Sequence, residues 1–89
     1  MKAVITVVGK DMVGILASIS GECAKFGANV NEVSQTILQD MFCMIMICDV
    51  DSITVPFGKF ADELKERGKE KNLVVHVMHE DIFNAMHRI

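Results

Sequence analysis

Along residues 3–8, AVITVV, nearly every position is apolar and most are β-branched. So short an apolar run predicts a strand buried on both faces. From Val13 the spacing changes: Leu16, Ile19, Cys23 and Phe26 recur at helical intervals. Asp11 is the expected N-cap of that helix and Gly27 its expected C-terminal stop. Residues 29–39, NVNEVSQTILQ, mix β-branched and polar positions and predict a second strand. Adjacent Ile37 and Leu38 break its alternation and point to a bulge there. Asp40 marks a tight turn, and residues 41–50, MFCMIMICDV, predict a third strand in a hairpin with the second. The loop DSITVP leads to a second helix that starts near Pro56, where proline is tolerated, and carries Phe57, Phe60, Ala61 and Leu64. Its wet face offers Lys59/Glu63 and Glu63/Arg67 as i,i+4 pairs, and GKEKN ends it. Residues 73–79, LVVHVMH, predict a fourth strand. In the tail EDIFNAMHRI, Ile82, Phe83, Met86 and Ile89 share one side of a short amphipathic helix.

The order is βαββαβ plus a C-terminal helix. Two interleaved right-handed crossovers give an antiparallel four-stranded sheet with both main helices on one face. The expected fold is therefore an α+β, ferredoxin-like sandwich, one domain over residues 1–89. This topology leaves the second sheet face bare, yet the third strand is apolar at both parities. Met41, Cys43, Ile45 and Ile47 lie on one side; Phe42, Met44, Met46 and Cys48 lie on the other. A strand with one wet face should alternate. A second copy of the chain or the C-terminal helix is expected to cover that face. Of the 89 residues, 51% are hydrophobic, which is rich for so small a chain and favours a homodimer or higher homo-oligomer.

Charge and side-chain chemistry remove several functions. The net charge is −3, and the chain has neither Trp nor Tyr. Phosphate contacts need clustered Lys and Arg, so no nucleic-acid partner is expected. No apolar run approaches the length of a membrane span, and the N-terminus reads as a strand, not a signal peptide. Cys23, Cys43 and Cys48 are odd in number and contain no CxxC spacing. That indicates neither a disulfide framework nor a zinc knuckle and fits reduced thiols in a cytoplasmic protein. His76 and His79 are three apart on a strand and face opposite sides, and His87 is on the tail, so no metal site is expected. Ser18, Ser20, Ser34 and Ser52 sit in no nucleophile motif, and no cysteine has an evident histidine partner. No catalytic residue and no cofactor is expected. Among ferredoxin-like proteins, acylphosphatases need an Arg in the first loop, where this chain has Lys10 beside Asp11. Metallochaperones need CxxC there, and RNA-binding versions need aromatics on the central strands, where only Phe42 occurs.

One stretch remains. Gly9-Lys10-Asp11-Met12-Val13-Gly14 has the glycine spacing of a phosphate loop, but Ile15-Leu16 follow where Lys and a hydroxyl are required. A Rossmann fingerprint lacks its first glycine pair. Gly14, placed inside the first helical turn, would cost about 1 kcal/mol against Ala, which favours close approach of a ligand or partner backbone at that terminus. Free N–H groups there favour a carboxylate.

Gly9, Asp11, Gly14 and Ile15 at this turn are followed by Gly27, Asn29, Val30, Asn31 and Glu32, then Val33-Ser34-Gln35-Thr36. In that order and within βαββαβ, the chain resembles ACT domains over residues 1–89. It is more narrowly similar to small stand-alone ACT proteins related to the glycine-cleavage repressor. The resemblance implies non-enzymatic regulatory binding of a small amino-acid-like ligand by a homodimer, with a possible protein partner. It implies a site between the first loop of one copy and the start of the second strand of another. By position, that singles out Asp11, Met12, Val13, Gly14 and Ile15 on one side and Asn29, Val30 and Asn31 on the other. Backbone N–H groups near Gly14 would take the carboxylate, Asp11 the ammonium, and Asn29 would donate and accept. The residues alone are also accounted for by Asp11 as a cap and Asn29 as a turn residue. The alternative function is an assembly module with no small ligand.

Overall fold

The computed structural model describes residues 1–10 and 14–86. Its elements are β1 (Lys2–Gly9), α1 (Ile15–Lys25), β2 (Asn29–Leu38), β3 (Met41–Asp49), α2 (Phe57–Glu70), β4 (Val74–His79) and α3 (Glu80–Met86). The four strands form one sheet in the order β2-β3-β1-β4, antiparallel at every pairing. This is the expected ferredoxin-like sandwich with an added C-terminal helix. The two most apolar strands, β1 and β3, occupy its centre, and β2 and β4 are its edges.

Register assigns the faces. Ala3 pairs with Cys48, Ile5 with Met46, Val7 with Met44 and Gly9 with Phe42. All of these except Gly9 belong to the buried core, together with Ile15, Ile19 and Cys23 of α1 and Phe60 and Leu64 of α2. Odd positions of β1 and even positions of β3 therefore face the helices. Phe26 and Phe60 meet edge to face at 6.1 Å and tie the end of α1 to α2. Glu22 is the one charged group in the buried set, and Arg67 Nε donates to its Oε1 at 2.9 Å. Arg67 also reaches Glu70 at 3.0 Å. The expected Lys59/Glu63 pair forms at 3.6 Å. The expected Glu63/Arg67 pair does not, because Arg67 turns to the carboxylate of α1 that burial leaves most in need of a counter-charge.

Both main helices end in the same way. Gly27 follows the C-cap of α1 with φ 82°. Ala28 N–H donates to the Cys23 carbonyl at 2.8 Å, and Gly27 N–H to that of Ala24 at 3.1 Å, which is a Schellman closure. In α2, Asn72 takes the left-handed position with φ 59°, and Leu73 N–H donates to Gly68 O at 2.8 Å. The helix thus ends within GKEKN, as expected, with Gly68, Lys69 and Glu70 still helical and Lys71 as C-cap. Gly68 is there for β4. A Cβ on it would run into Val75 Cγ2. Gly68→Ala is expected to lower stability by about 1–2 kcal/mol through overpacking, against the gain of about 1 kcal/mol that Ala brings to an open helix position. Urea unfolding checks the sign; an increase in stability would mean that Val75 yields.

Two further expectations change, and a third is met in part. The N-cap of α1 is Gly14, not Asp11, so Gly14 stands outside the helix and not within its first turn. The register shift in β2 falls between Val30 and Glu32, not at Ile37 and Leu38. Those two simply alternate faces, and both are exposed on this edge strand, as is every β2 residue except Val30. The third concerns the sheet's other face. There Val4 is 1% exposed, and α3 packs against β1 and β4. Met41 and Ile45 of β3 remain exposed on that face, at 37% and 42%. Of the expected apolar side of α3, Ile82 is exposed and Phe83 half-buried; the Met86 side chain and Ile89 lie outside the described residues.

Candidate ligand-binding site

The first half of the predicted site sits where β1 runs into α1. Gly14 has φ 74° and ψ 4°, a left-handed backbone that costs other L-residues about 1–2 kcal/mol. That conformation, not a close approach, explains the glycine: a Cβ built on it meets nothing within 4 Å. Ser18 N–H donates to the Gly14 carbonyl at 2.8 Å and closes the first helical turn. The N–H groups of residues 15–17 precede that bond and have no intrahelical partner. Among the described residues no side chain caps this end, and no acidic residue occupies the first turn. The positive end of the helix dipole is therefore uncompensated by its own element, an arrangement that attracts an anion. Ile15 is 2% exposed, so its side chain anchors the helix in the core and leaves only its N–H for a ligand. Asp11, Met12 and Val13 lie outside the described residues.

The second half sits at the start of β2. Asn29 pairs with Asp49 on the open face of the sheet and is exposed. Val30 is half-buried and packs against the core. Asn31 is exposed and is the extra residue of the bulge. Bulges re-aim neighbouring side chains, so the two asparagines are not held to simple strand alternation.

The two halves do not meet within one chain. Asn29 shares its sheet end with Asp49 and Lys2, whereas Gly14 follows Gly9 at the opposite end. The 11 residues of α1 lie between them, a helix length of about 16 Å. Within one copy the two groups of predicted residues lie at opposite ends of the sheet.

A cleft of about 430 Å³ opens beside the first half-site, on the sheet face away from α1 and α2. Val8, Met41 and Val74 form its apolar lining, and Lys10, Lys71 and Asn72 its polar lining. Lys10 stands 3.9 Å from Asp40, both well exposed. The pattern of the chain did not point to this cleft, since Lys71 and Asn72 belong to a turn some sixty positions downstream and come close only through the β1–β4 pairing.

The remaining chemistry is quiet. Cys23 and Cys48 are buried with their sulfurs 4.0 Å apart. The Cys23 thiol is pushed up by its hydrogen bond with Cys48 and by burial, which keeps it protonated and inert. Cys43 is half-buried on the open sheet face. His76 and His79 do face opposite sides, opposite Thr6 and Ala3. His79 stacks on Phe57 at 4.0 Å, a contact between β4 and α2. Among the described residues no group of three His, Cys, Asp or Glu could hold a metal, and no helix is long and apolar enough to cross a membrane.

Comparison with known proteins decides the family. The model of the ACT domain matches residues 2–78. The chain belongs to the ACT domain family. Domains of this class are typically regulatory and bind small molecules. The chain is 45% identical to a UPF0237 protein of Listeria innocua over 100% of both chains. A solved ACT domain protein from Streptococcus pneumoniae is 38% identical, with a TM-score of 0.83 and 98% of each chain covered. A solved protein described as a glycine cleavage system transcriptional repressor matches with a TM-score of 0.70 at 20% identity. The ACT domain covers 44% of that protein, and the likeness concerns the fold.

Proposed function

We propose that this ACT domain is a non-enzymatic, cytoplasmic regulatory module that works as a homodimer and binds a small amino-acid-like ligand between its subunits. The observation that carries the reading is the start of α1, which no side chain caps among the described residues and which is opened by the left-handed Gly14, where an added Cβ would meet nothing within 4 Å. Its N–H groups take the ligand carboxylate, and Asp11 takes the ammonium, as the family resemblance implies. Asn29 and Asn31 come from a second copy, because α1 holds the two half-sites of one copy apart. Ligand at the junction then favours one dimer geometry by the difference in its affinity for the two states, and that difference reaches a partner protein.

The exposed apolar positions Leu38, Met41 and Ile45 support a second subunit. They equally favour the other reading, an assembly module without a ligand. A thermal-shift screen over the common amino acids separates the two. At a hundredfold excess over Kd a ligand contributes about 2.7 kcal/mol, which in a domain of this size raises Tm by roughly 10 °C or more. A dimer by light scattering with no shift from any amino acid at millimolar concentration would leave the assembly reading. A monomer at micromolar concentration would remove both.

A further inference from the structure

Strand β4 is an edge: it pairs with β1 alone. Alternate residues of such a strand direct their N–H and C=O groups outward, where another strand can take them up. Beside this edge runs α2, and between them lies a groove of about 330 Å³. Lys65, Glu66 and Lys69 line its helix side, and residues 73–76 line its strand side. Leu73 and Val75 are buried beneath, while Val74 is 57% exposed on the opposite sheet face. Lys65 and Lys69 form no ion pair among the described residues, although the chain carries a net charge of −3. Two ammonium groups and one carboxylate, none in an ion pair among the described residues, thus overlook a free sheet edge, with one positive charge in excess.

We propose that this groove binds an extended, acidic segment of a partner protein, which adds a strand to β4. The spacing is what selects the sequence of that segment. Lys65 and Lys69 are one helical turn apart, about 6 Å along the axis. Alternate side chains of an extended strand are about 6.6–6.8 Å apart on one face. Carboxylates at every second position therefore meet the two lysines in turn. The intervening side chains project to the other sheet face, beside Val74, and are apolar. Main-chain hydrogen bonds hold the segment and the charges choose it, as in other strand-addition sites. The other edge, β2, has ten residues but no Lys, and all of them except Val30 are exposed. It can pair, but it has no cationic wall to select an acidic strand. This inference does not depend on the ligand at Gly14.

The test uses the full chain and a short labelled peptide of alternating Val and Glu, titrated by fluorescence anisotropy at low salt. Saturable binding is expected, with slowed amide exchange in residues 74–78. The Lys65→Glu/Lys69→Glu variant is expected to bind about tenfold or more weakly. Lys65→Gln/Lys69→Gln, the milder change, should fall between the two, with circular dichroism showing that both variants fold. The same peptide N-methylated at alternate amides should not bind. Absence of saturable binding would overturn the proposal. So would equal binding of the N-methylated peptide, exchange protection at β2 in place of β4, or binding that survives charge reversal.

Discussion

Phe60→Ala is expected to destabilise the domain by about 3–5 kcal/mol. Phe60 is fully buried, meets Phe26 edge to face at 6.1 Å and lies 6.2 Å from Phe57. It therefore joins three segments: the end of α1, the start of α2 and the sheet below. Truncation removes the ring's transfer free energy and leaves a cavity among side chains fixed by two helices and a sheet, which relax little. A domain of this length has a total stability of about 4–13 kcal/mol. The variant is expected to be largely unfolded at physiological temperature if the parent lies at the low end. Urea denaturation followed by circular dichroism gives the loss directly. A loss under about 1 kcal/mol would mean that the core collapses into the space.

Gly27→Ala is expected to be nearly as damaging, at about 2–4 kcal/mol. Two costs combine. The residue has φ 82°, and an added Cβ would stand 2.9 Å from the Ser52 carbonyl oxygen. That oxygen belongs to backbone held in place nearby, since Thr54 N–H donates to Phe26 O at 2.9 Å. It cannot swing aside as a side chain could. Gly14 is the internal control. Its φ of 74° is similar, but nothing lies within 4 Å of a Cβ there. Gly14→Ala should cost only the backbone strain, about 1–2 kcal/mol. Equal losses at the two positions, measured by the same unfolding experiment, would contradict the distinction.

The fold was legible because its signals are local and agree with one another. Apolar runs at 3–8 and 41–48 are short and β-branched or methionine-rich, helical spacing resumes at Leu16 and Phe57, and Gly27 and Pro56 punctuate the chain. What the pattern misplaced depends on tertiary packing. Gly68 opens GKEKN, the expected end of α2, yet it is a helical residue kept small by Val75. The real stop is Asn72, whose left-handed backbone only the Schellman closure reveals. Ile37 and Leu38 look like a bulge because two apolar neighbours imply two covered faces. In fact both are exposed on an edge strand that meets the core at Val30. Arg67 chose Glu22 over Glu63, a choice set by helix–helix packing and invisible to i,i+4 counting.

The candidate site was legible in part. The glycines and asparagines stand out in the chain, and Gly27 is the expected helix stop, but the pattern suggests the wrong reason for Gly14. Gly14 serves a left-handed cap position, and Gly27 serves both a helix stop and a tight crossing over Ser52. That the two half-sites lie at opposite ends of α1 is a property of topology, since Asn29 follows a helix that runs back along the sheet. Lys65 and Lys69 read from sequence as a solvated helix end. Only the edge position of β4 gives them a surface to act on.

The most direct test of a site shared between subunits is a mixing experiment. Gly14→Val closes the space before the first-turn N–H groups, and Asn29→Ala removes the other half-site. Each variant alone is expected to lose amino-acid binding by calorimetry while remaining dimeric. Mixed in equal amounts and allowed to exchange subunits, half of the dimers become mixed, and each mixed dimer carries one intact junction of two. Binding is predicted to return at about a quarter of the parent capacity. A mixture that regains no binding, although mixed dimers form, would contradict a site built from two copies.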